Sequence, residues 1–251
     1  MFSAQKDQLA LLELSKTLVK SMRLPLMACP MNPLSSASLL ESMQWRYACK
    51  RFQSAQIIPA ETLAALRELC SLAPSSYGLQ PVKILDIQDP QLRSLLRKAA
   101  NNKSQVTDAS HFWVLCHRPV IKAADIDAWL ELLQKKRGEK AADQTAYRDF
   151  LWSKMQSKNQ PEQNCWAARQ AYLVLGQLLA QAALLGIDAC PMEGFDYDAF
   201  QQILQLDAAE WVISCAAALG YRDETDEWSG KVKVRRPVTD FFETVPRDVP
   251  G

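Results

Sequence analysis

Apolar residues recur every three or four positions along several stretches of this chain, and that spacing predicts helices. One predicted helix runs from residue 59 to about residue 72, because Pro59 suits a first helical turn. A helix over residues 167–185 is apolar on nearly every face, which is typical of a buried element. Further helices are predicted over residues 91–100 and over the charged stretch 125–158, which has a break at Gly138.

Three shorter stretches between these helices predict strands. Val82–Ile87 is one, bounded by Pro81 and by Asp89 and Pro90. The apolar run 112–116 is a second, and the apolar run 211–219 is a third. Because the third run carries no charge, we expect it to lie in the middle of a sheet. Helices and strands therefore alternate within one mixed domain, and no internal repeat is evident.

The first 38 residues differ in character from the rest. Residues 8–20 form an amphipathic pattern, and the residues after them are typical of a linker. Those linker residues are Pro25, Pro30, Pro33, Ser35, Ser36 and Ser38. We therefore predict an N-terminal extension over residues 1–38 and a compact domain over residues 39–251.

Composition narrows the function classes. Lys and Arg number 29 against 28 Asp and Glu, so the net charge of +1 gives no reason to expect nucleic acid as a partner. No run of about 20 apolar residues and no signal peptide is present, so we expect no membrane partner and a cytoplasmic location. The seven scattered cysteines include no CxxC pair and suit a reducing compartment as free thiols.

Several common catalytic motifs are absent. The eight glycines form neither GxGxxG nor the GxxxxGK phosphate loop, and no GxSxG elbow exists. His111 and His117, the only histidines, border an apolar run and are interpreted as structural or capping residues. Hydrolysis by a triad or a metal is therefore disfavoured, and no metal site is predicted.

Two basic clusters remain as candidate chemistry. Arg46, Lys50 and Arg51 lie near the start of the compact domain, and residues 231–236 alternate basic with apolar side chains near its end. Without a glycine loop, an anionic cofactor would need such cations. Taken alone, each cluster is interpreted as a solvated surface, because charge runs are usually exposed.

A third element makes the set recognisable. Residues 73–81 (APSSYGLQP) follow a predicted helix and lead into a strand. Together with the other motifs in chain order, they resemble the nitroreductase family, above all its oxygen-insensitive NAD(P)H nitroreductase and dihydropteridine reductase branch. The other motifs are Arg46 with Lys50, residues 102–111, residues 191–195, and Lys233 with Arg235.

The resemblance implies an α+β fold, with a mostly antiparallel central sheet surrounded by helices in an intertwined homodimer. It implies FMN at the subunit interface, NAD(P)H as co-substrate, and small-molecule electron acceptors. The apolar tail after Pro237 would then dock on the partner subunit.

The resemblance also assigns roles to residues. Arg46, Lys233 and Arg235 would bind the FMN phosphate, with Ala48 in the same segment. The polar edge of the flavin ring would be bound by Lys50, Asn102 and Gln105, and its N5 and O4 atoms by backbone N–H groups of Glu193 and Gly194 after Pro191. Pro74, Ser75 and Ser76 would come from the other subunit. No protein side chain would be catalytic, because flavin N5 accepts the hydride.

This chain departs from the family pattern at two positions, and each departure leads to an expectation about flavin binding or potential. Many members have Ser or Thr where this chain has Ala48, so one phosphate hydrogen bond would be missing. Many also have Lys where Gln105 stands, so we expect a lower flavin potential here.

A substrate pocket is expected at Tyr77, Gly78 and Trp152, although Trp152 could equally pack a helix. The predicted function is ping-pong hydride transfer from NAD(P)H to nitroaromatics, quinones or pteridines. The alternatives are a dedicated pteridine or enone reductase, a low-turnover flavin carrier or redox sensor, and a dimeric interaction protein without flavin.

Overall fold

The computed structural model describes residues 33–138 and 144–245. Its centre is an antiparallel sheet in the spatial order β1-β2-β4-β3. The strands are Val82–Ile87 (β1), His111–His117 (β2), Asp188–Met192 (β3) and Val212–Gly220 (β4). The two inner strands, β2 and β4, are almost wholly buried.

Helices cover both faces of the sheet. They are Ser36–Trp45 (α1), Ala60–Ser71 (α2), Pro90–Ala99 (α3), Gln105–Asp108 (α4), Ala123–Arg137 (α5), Thr145–Gln156 (α6), Gln160–Leu184 (α7), Tyr197–Ile203 (α8) and Val238–Phe241 (α9). Alternate residues of β2 point to opposite faces, as a strand requires. Phe112 and Val114 pack in one core with Leu96 of α3, whereas Trp113 and Leu115 pack in another with α2 and α7.

The predicted fold class is confirmed: the chain is α+β with an antiparallel sheet. Strand β1 has its predicted bounds, β2 and β4 lie within a residue of theirs, and β4 is central as expected. Gly138 ends α5 in a left-handed conformation that glycine adopts at little cost, so the charged stretch does break there. The buried helix α7 begins earlier than expected, at Gln160, where Asn159 caps it.

Several elements differ from the prediction. Strand β3, helix α8 and the short helices α4 and α9 were not predicted, and α1 begins at Ser36 among residues that we interpreted as a linker. Ser35 Oγ accepts a hydrogen bond from the Ser38 backbone N–H, as a helix N-cap does, so these serines start a helix. The amphipathic pattern over residues 8–20 lies outside the described residues, and the boundary at residue 39 stays a prediction.

Exposed large apolar side chains occur at several places in the described chain, and two groups of them lie on α7 and in the C-terminal segment. Tyr172 and Leu173 of α7 are 40% and 50% exposed, although the opposite face of the same helix is buried. The C-terminal segment exposes Val232, Val234, Val238, Phe241, Phe242 and Val245. Within the described ranges, no helix is both long and apolar enough to cross a membrane.

The six cysteines in the described ranges are free, as predicted, and Cys29 lies outside those ranges. Both histidines have polar partners, as expected of structural residues. His111 Nδ1 lies 2.9 Å from Ser110 Oγ, and His117 bonds Ser214 and Asn164 through its two ring nitrogens.

Candidate functional site

The segment after α1 carries the first basic cluster along the β3 edge of the sheet. Ala48 forms a parallel bridge to Ala189 of β3, and Phe52 forms an antiparallel bridge to Arg222, just beyond β4. These pairings bring the segment beside the chain that continues to Lys233 and Arg235. The two basic clusters, distant in sequence, are therefore neighbours in the fold.

The two sequence clusters together contribute one compact group of cations: Arg46, Lys233 and Arg235. From here on, this group alone is called the basic cluster. Lys233 Nζ donates hydrogen bonds to the carbonyl oxygens of Met43, at 2.7 Å, and Arg46. Burial and the nearby Arg235 lower the pKa of Arg46, and burial with both arginines lowers the pKa of Lys233. The cluster is therefore electrostatically strained and would be relieved by an anion.

The polar contacts of the cluster are incomplete. Arg46 Nε is buried and has no hydrogen-bond partner among the described residues. No ion pair joins Arg46, Lys233 or Arg235 to a carboxylate within those residues. A buried, unpaired guanidinium N–H is costly, so the geometry fits a phosphate group at this position.

A second group of polar side chains surrounds Cys190 of β3. Lys50 Nζ donates to Cys190 Sγ at 3.6 Å, and the buried Gln105 side chain is close enough to lower the pKa of this thiol. Burial raises the pKa of the Cys190 thiol, while the nearby Lys50 and Lys103 oppose that shift. Lys50 and Gln105, two of the predicted flavin residues, therefore meet at one point.

The turn after β3 carries Glu193 and Gly194. Gly194 O accepts hydrogen bonds from Lys103 Nζ at 2.7 Å and Asn101 Nδ2 at 3.4 Å, and a Cβ at Gly194 would lie 2.5 Å from Lys103 Nζ. Tyr172 of α7 donates to the Glu193 carboxylate. The turn is thus tied to α7 on one side and to the loop before α4 on the other.

Asn102 lies in that loop with a positive φ of 55°, a conformation that Asn tolerates better than most residues. Its carbonyl oxygen accepts a hydrogen bond from Arg97 Nε at 3.3 Å. A cavity of about 610 Å³ is lined by Lys50 and Gln105 among other residues, with Asp226 and Trp228 on its wall. Arg51 also lines this space, beside Lys50.

The loop of Pro74, Ser75 and Ser76 lies elsewhere. It leads into β1, at the sheet edge opposite β3, roughly 14 Å away across three inter-strand spacings. Its own cavity, of about 330 Å³, includes Pro74 and Ser75 and shares no residue with the cavity at Lys50. One chain alone does not bring all the predicted flavin residues together.

The expected substrate residues lie near this second loop. Tyr77 has a φ of 59° and Gly78 a φ of 73°, and a Cβ at Gly78 would lie 3.1 Å from the Trp129 ring. Tyr77 packs edge-on against Phe150 of α6, with ring centroids 6.2 Å apart. Trp152 is partly buried against the same small core, so its two interpretations stay open.

The sequence prediction assigns no role to four residues at the site: Lys103, Tyr172, Cys190 and Asp226. Lys103 lies within the motif of residues 102–111, and that position is the one available signal. The other three contact the site only through tertiary contacts, which no local pattern reveals.

With this geometry described, comparison with known proteins decides the family. The family model described as Nitroreductase family matches residues 43–221. This chain belongs to the nitroreductase family. A Staphylococcus saprophyticus protein, provisionally named an NAD(P)H nitroreductase, is 33% identical over 214 residues, which cover 82% of this chain and 96% of that protein. A similarly named Staphylococcus epidermidis protein is 33% identical over 205 residues, or 78% of this chain and 92% of its own.

Solved nitroreductase structures share the fold. A Bacillus subtilis protein of this kind superposes with a TM-score of 0.76 at 24% identity, covering 84% of this chain and all of that one. An Exiguobacterium sibiricum nitroreductase in complex with FMN gives a TM-score of 0.71 at 18% identity, covering 86% and 99% of the two chains. At these identities the likeness supports the fold alone.

Proposed function

We propose that this nitroreductase-family protein is an FMN-dependent oxidoreductase that moves hydride from NAD(P)H to small electron acceptors. The observation that carries the proposal is the basic cluster, in which the buried Arg46 Nε has no partner within the described residues. Three cations crowded together without a carboxylate are costly unless an anion of matching size joins them. The FMN phosphate is such an anion.

The FMN phosphate would be bound by Arg46, Lys233 and Arg235. Arg46 supplies a planar guanidinium suited to two phosphate oxygens, while Lys233 is held by two carbonyl oxygens and has one further donor hydrogen. Ala48 lacks the hydroxyl common in the family and offers the phosphate no side-chain hydrogen bond. We therefore expect FMN to be held by charge more than by neutral hydrogen bonds.

The ring of FMN would lie against the Cys190 region. When bound, FMN supplies the atom that accepts and returns the hydride. The Lys50 ammonium would stabilise the negative charge of the reduced ring near N1, with Gln105 and Asn102 at the same polar edge. Backbone N–H groups of Glu193 and Gly194 would bond the N5 and O4 side, following Pro191. No side-chain general base is needed for this chemistry.

A homodimer would complete the site. Pro74, Ser75 and Ser76 of the partner subunit would approach the ring, because the same residues of one chain lie at the far sheet edge. The exposed apolar side chains of α7 and of the C-terminal segment supply a surface that such an interface would bury. Tyr77, Gly78 and Trp152 would then border the space over the ring where substrates bind.

The proposed cycle is ping-pong, because NAD(P)H and the acceptor would use one face of the ring in turn. Nitroaromatics, quinones and pteridines are the proposed acceptors, in the cytoplasm. Initial rates of NAD(P)H oxidation, measured at several fixed acceptor concentrations, should give parallel double-reciprocal lines. Intersecting lines would contradict the ping-pong cycle. Negligible oxidation with every acceptor would favour a flavin carrier or redox sensor instead.

A further inference from the structure

Asp226 is a buried carboxylate that four donors approach from two parts of the chain. Its Oδ2 accepts hydrogen bonds from Lys50 N at 2.7 Å, Tyr47 OH at 2.9 Å and Arg51 N at 3.1 Å. Its Oδ1 accepts from Trp228 N at 3.0 Å. The side chain is 2% exposed, and no cation forms an ion pair with it among the described residues.

These hydrogen bonds join two segments. Residues 47–51 follow Arg46, and residues 226–229 lead to Lys233 and Arg235. Neighbouring backbone hydrogen bonds reinforce the junction, from Asp223 N to Arg51 O and from Gln53 N to Tyr221 O, each 2.9 Å long. Asp226 is therefore one of the side chains that join these two segments, together with Lys233, whose Nζ bonds the carbonyl oxygens of Met43 and Arg46.

Charge alone does not explain a carboxylate here. A buried negative charge beside a phosphate site repels the phosphate and weakens its binding by Coulomb's law. The same carboxylate can strengthen binding only by fixing the geometry of the cations. The two effects have opposite signs, so an experiment can separate them.

We infer that Asp226 is a positioning residue that aligns the segment following Arg46 with the segment leading to Lys233 and Arg235, so that these three cations form one phosphate clamp. The inference rests on the proposed FMN function and adds a residue to it. Asp226 itself does not touch the phosphate. It acts through the backbone of Lys50 and Arg51 and through the turn at Trp228.

The test compares FMN with riboflavin, which has the same ring but no phosphate, on refolded or flavin-stripped full-length protein. In Asp226→Asn, the amide offers only one acceptor oxygen, so its NH2 group must face a backbone N–H whichever way it turns. We expect the Kd for FMN to rise about tenfold, or about 1.4 kcal/mol, while the Kd for riboflavin changes far less.

The matched control is Gln163→Met. Gln163 is also buried and joins two segments, by accepting from Ile121 N at 3.0 Å and donating to Met155 O at 3.1 Å. Its loss should lower the unfolding temperature without changing the ratio of the FMN and riboflavin affinities. All affinities are measured below the unfolding temperature of the least stable variant.

Unchanged or tighter FMN binding by Asp226→Asn would overturn the inference, and so would an equal loss of affinity for both flavins. If Asp226→Asn does not fold, Tyr47→Phe is the deciding variant. It removes one hydrogen-bond donor but keeps the Asp226 carboxylate and the aromatic ring of residue 47. A smaller loss, confined to FMN, is expected there, and no loss would contradict the inference. If the wild-type protein binds neither flavin, the proposed function fails first, which is a different result.

Discussion

The backbone N–H of Ser76 donates a hydrogen bond to Oε1 of Gln170, 2.8 Å away, and so fixes the loop of residues 74–76 on helix α7. Ser75 Oγ adds a bond from Gln80 N at 2.9 Å. The loop is therefore held in place at the sheet edge far from Lys50. If it contacts flavin, it contacts the flavin bound by another copy of the chain.

This arrangement predicts complementation between two inactive variants. Lys50→Glu reverses the charge beside the flavin ring. Pro74→Trp adds bulk at an exposed position that the partner subunit would contribute to the same site. Each homodimer should lose activity, but a mixed dimer carries one site with both changes and one site with neither. Co-expressed, differently tagged subunits purified as mixed dimers should recover about half of the wild-type rate. No recovery would contradict a shared site.

The side chain at Gln105 leads to a prediction about the midpoint potential of bound FMN. It is 7% exposed and lies near Cys190 beside Lys50, with which it lines one cavity. Gln105→Lys should raise the midpoint potential of bound FMN by roughly 30 mV, because a second cation stabilises the reduced ring. Gln105→Met, which adds no charge, serves as the control and should not raise it. An unchanged or lower potential in Gln105→Lys would refute the assigned position.

Gly78 combines a left-handed backbone with close packing. Its φ is +73°, and a Cβ there would lie 3.1 Å from the Trp129 ring. Gly186 has a φ of +69° with nothing within 4 Å and is the matched control. Gly186→Ala should lower the free energy of unfolding by about 1 kcal/mol, and Gly78→Ala by about 2 kcal/mol. Equal losses of unfolding free energy for the two variants, measured in urea, would contradict this prediction. The Trp129 ring would then move aside at no cost in free energy.

Buried thiols predict a loss of stability at alkaline pH. Burial raises the pKa of Cys70 to about 11 and those of Cys116 and Cys215 to about 12, from an ordinary 9.0. The unfolded chain therefore releases these protons first, so stability is full below about pH 9 and falls as the pH rises toward the folded values.

Each such thiol contributes a slope of up to about 1.4 kcal/mol per pH unit to the free energy of unfolding. In urea unfolding under reducing conditions, Cys116→Ala should show a shallower alkaline slope than the wild type. Val114→Ala also opens a cavity in β2 but keeps every thiol, so its slope should match the wild type. Identical slopes for all three proteins would contradict the assigned burial.

The sequence predicted those parts of the fold whose signal is local. Strands β2 and β4 are almost continuous apolar runs, β1 is a short stretch bounded by Pro81 and Asp89, and Gly138 marks a break that needs a left-handed residue. Strand β3 has no such signal, since it is short and contains Asp188 and Pro191. Asp188 is tolerated inside because Arg222 pairs with it at 2.6 Å, and that partner is distant in sequence.

The features of the candidate site can likewise be divided into those that sequence motifs predict and those that depend on tertiary contacts. Family motifs named the basic residues, but only the fold shows that Lys233 meets the carbonyl oxygen of Met43, 190 positions away in the chain. The burial of Arg46 Nε and the four hydrogen bonds to Asp226 likewise depend on chain pairing beyond β4. A sequence pattern assigns residues to a site, and tertiary contacts decide what charge and geometry they present.

The most direct test of the central claim is a visible absorption spectrum of the purified full-length protein, reconstituted with FMN and kept anaerobic. We predict a bound-flavin spectrum that bleaches on addition of NAD(P)H and returns when a nitroaromatic or a quinone is added. A protein that stays colourless after reconstitution, and whose Arg46→Ala variant behaves identically, would contradict the assignment of the basic cluster to the FMN phosphate.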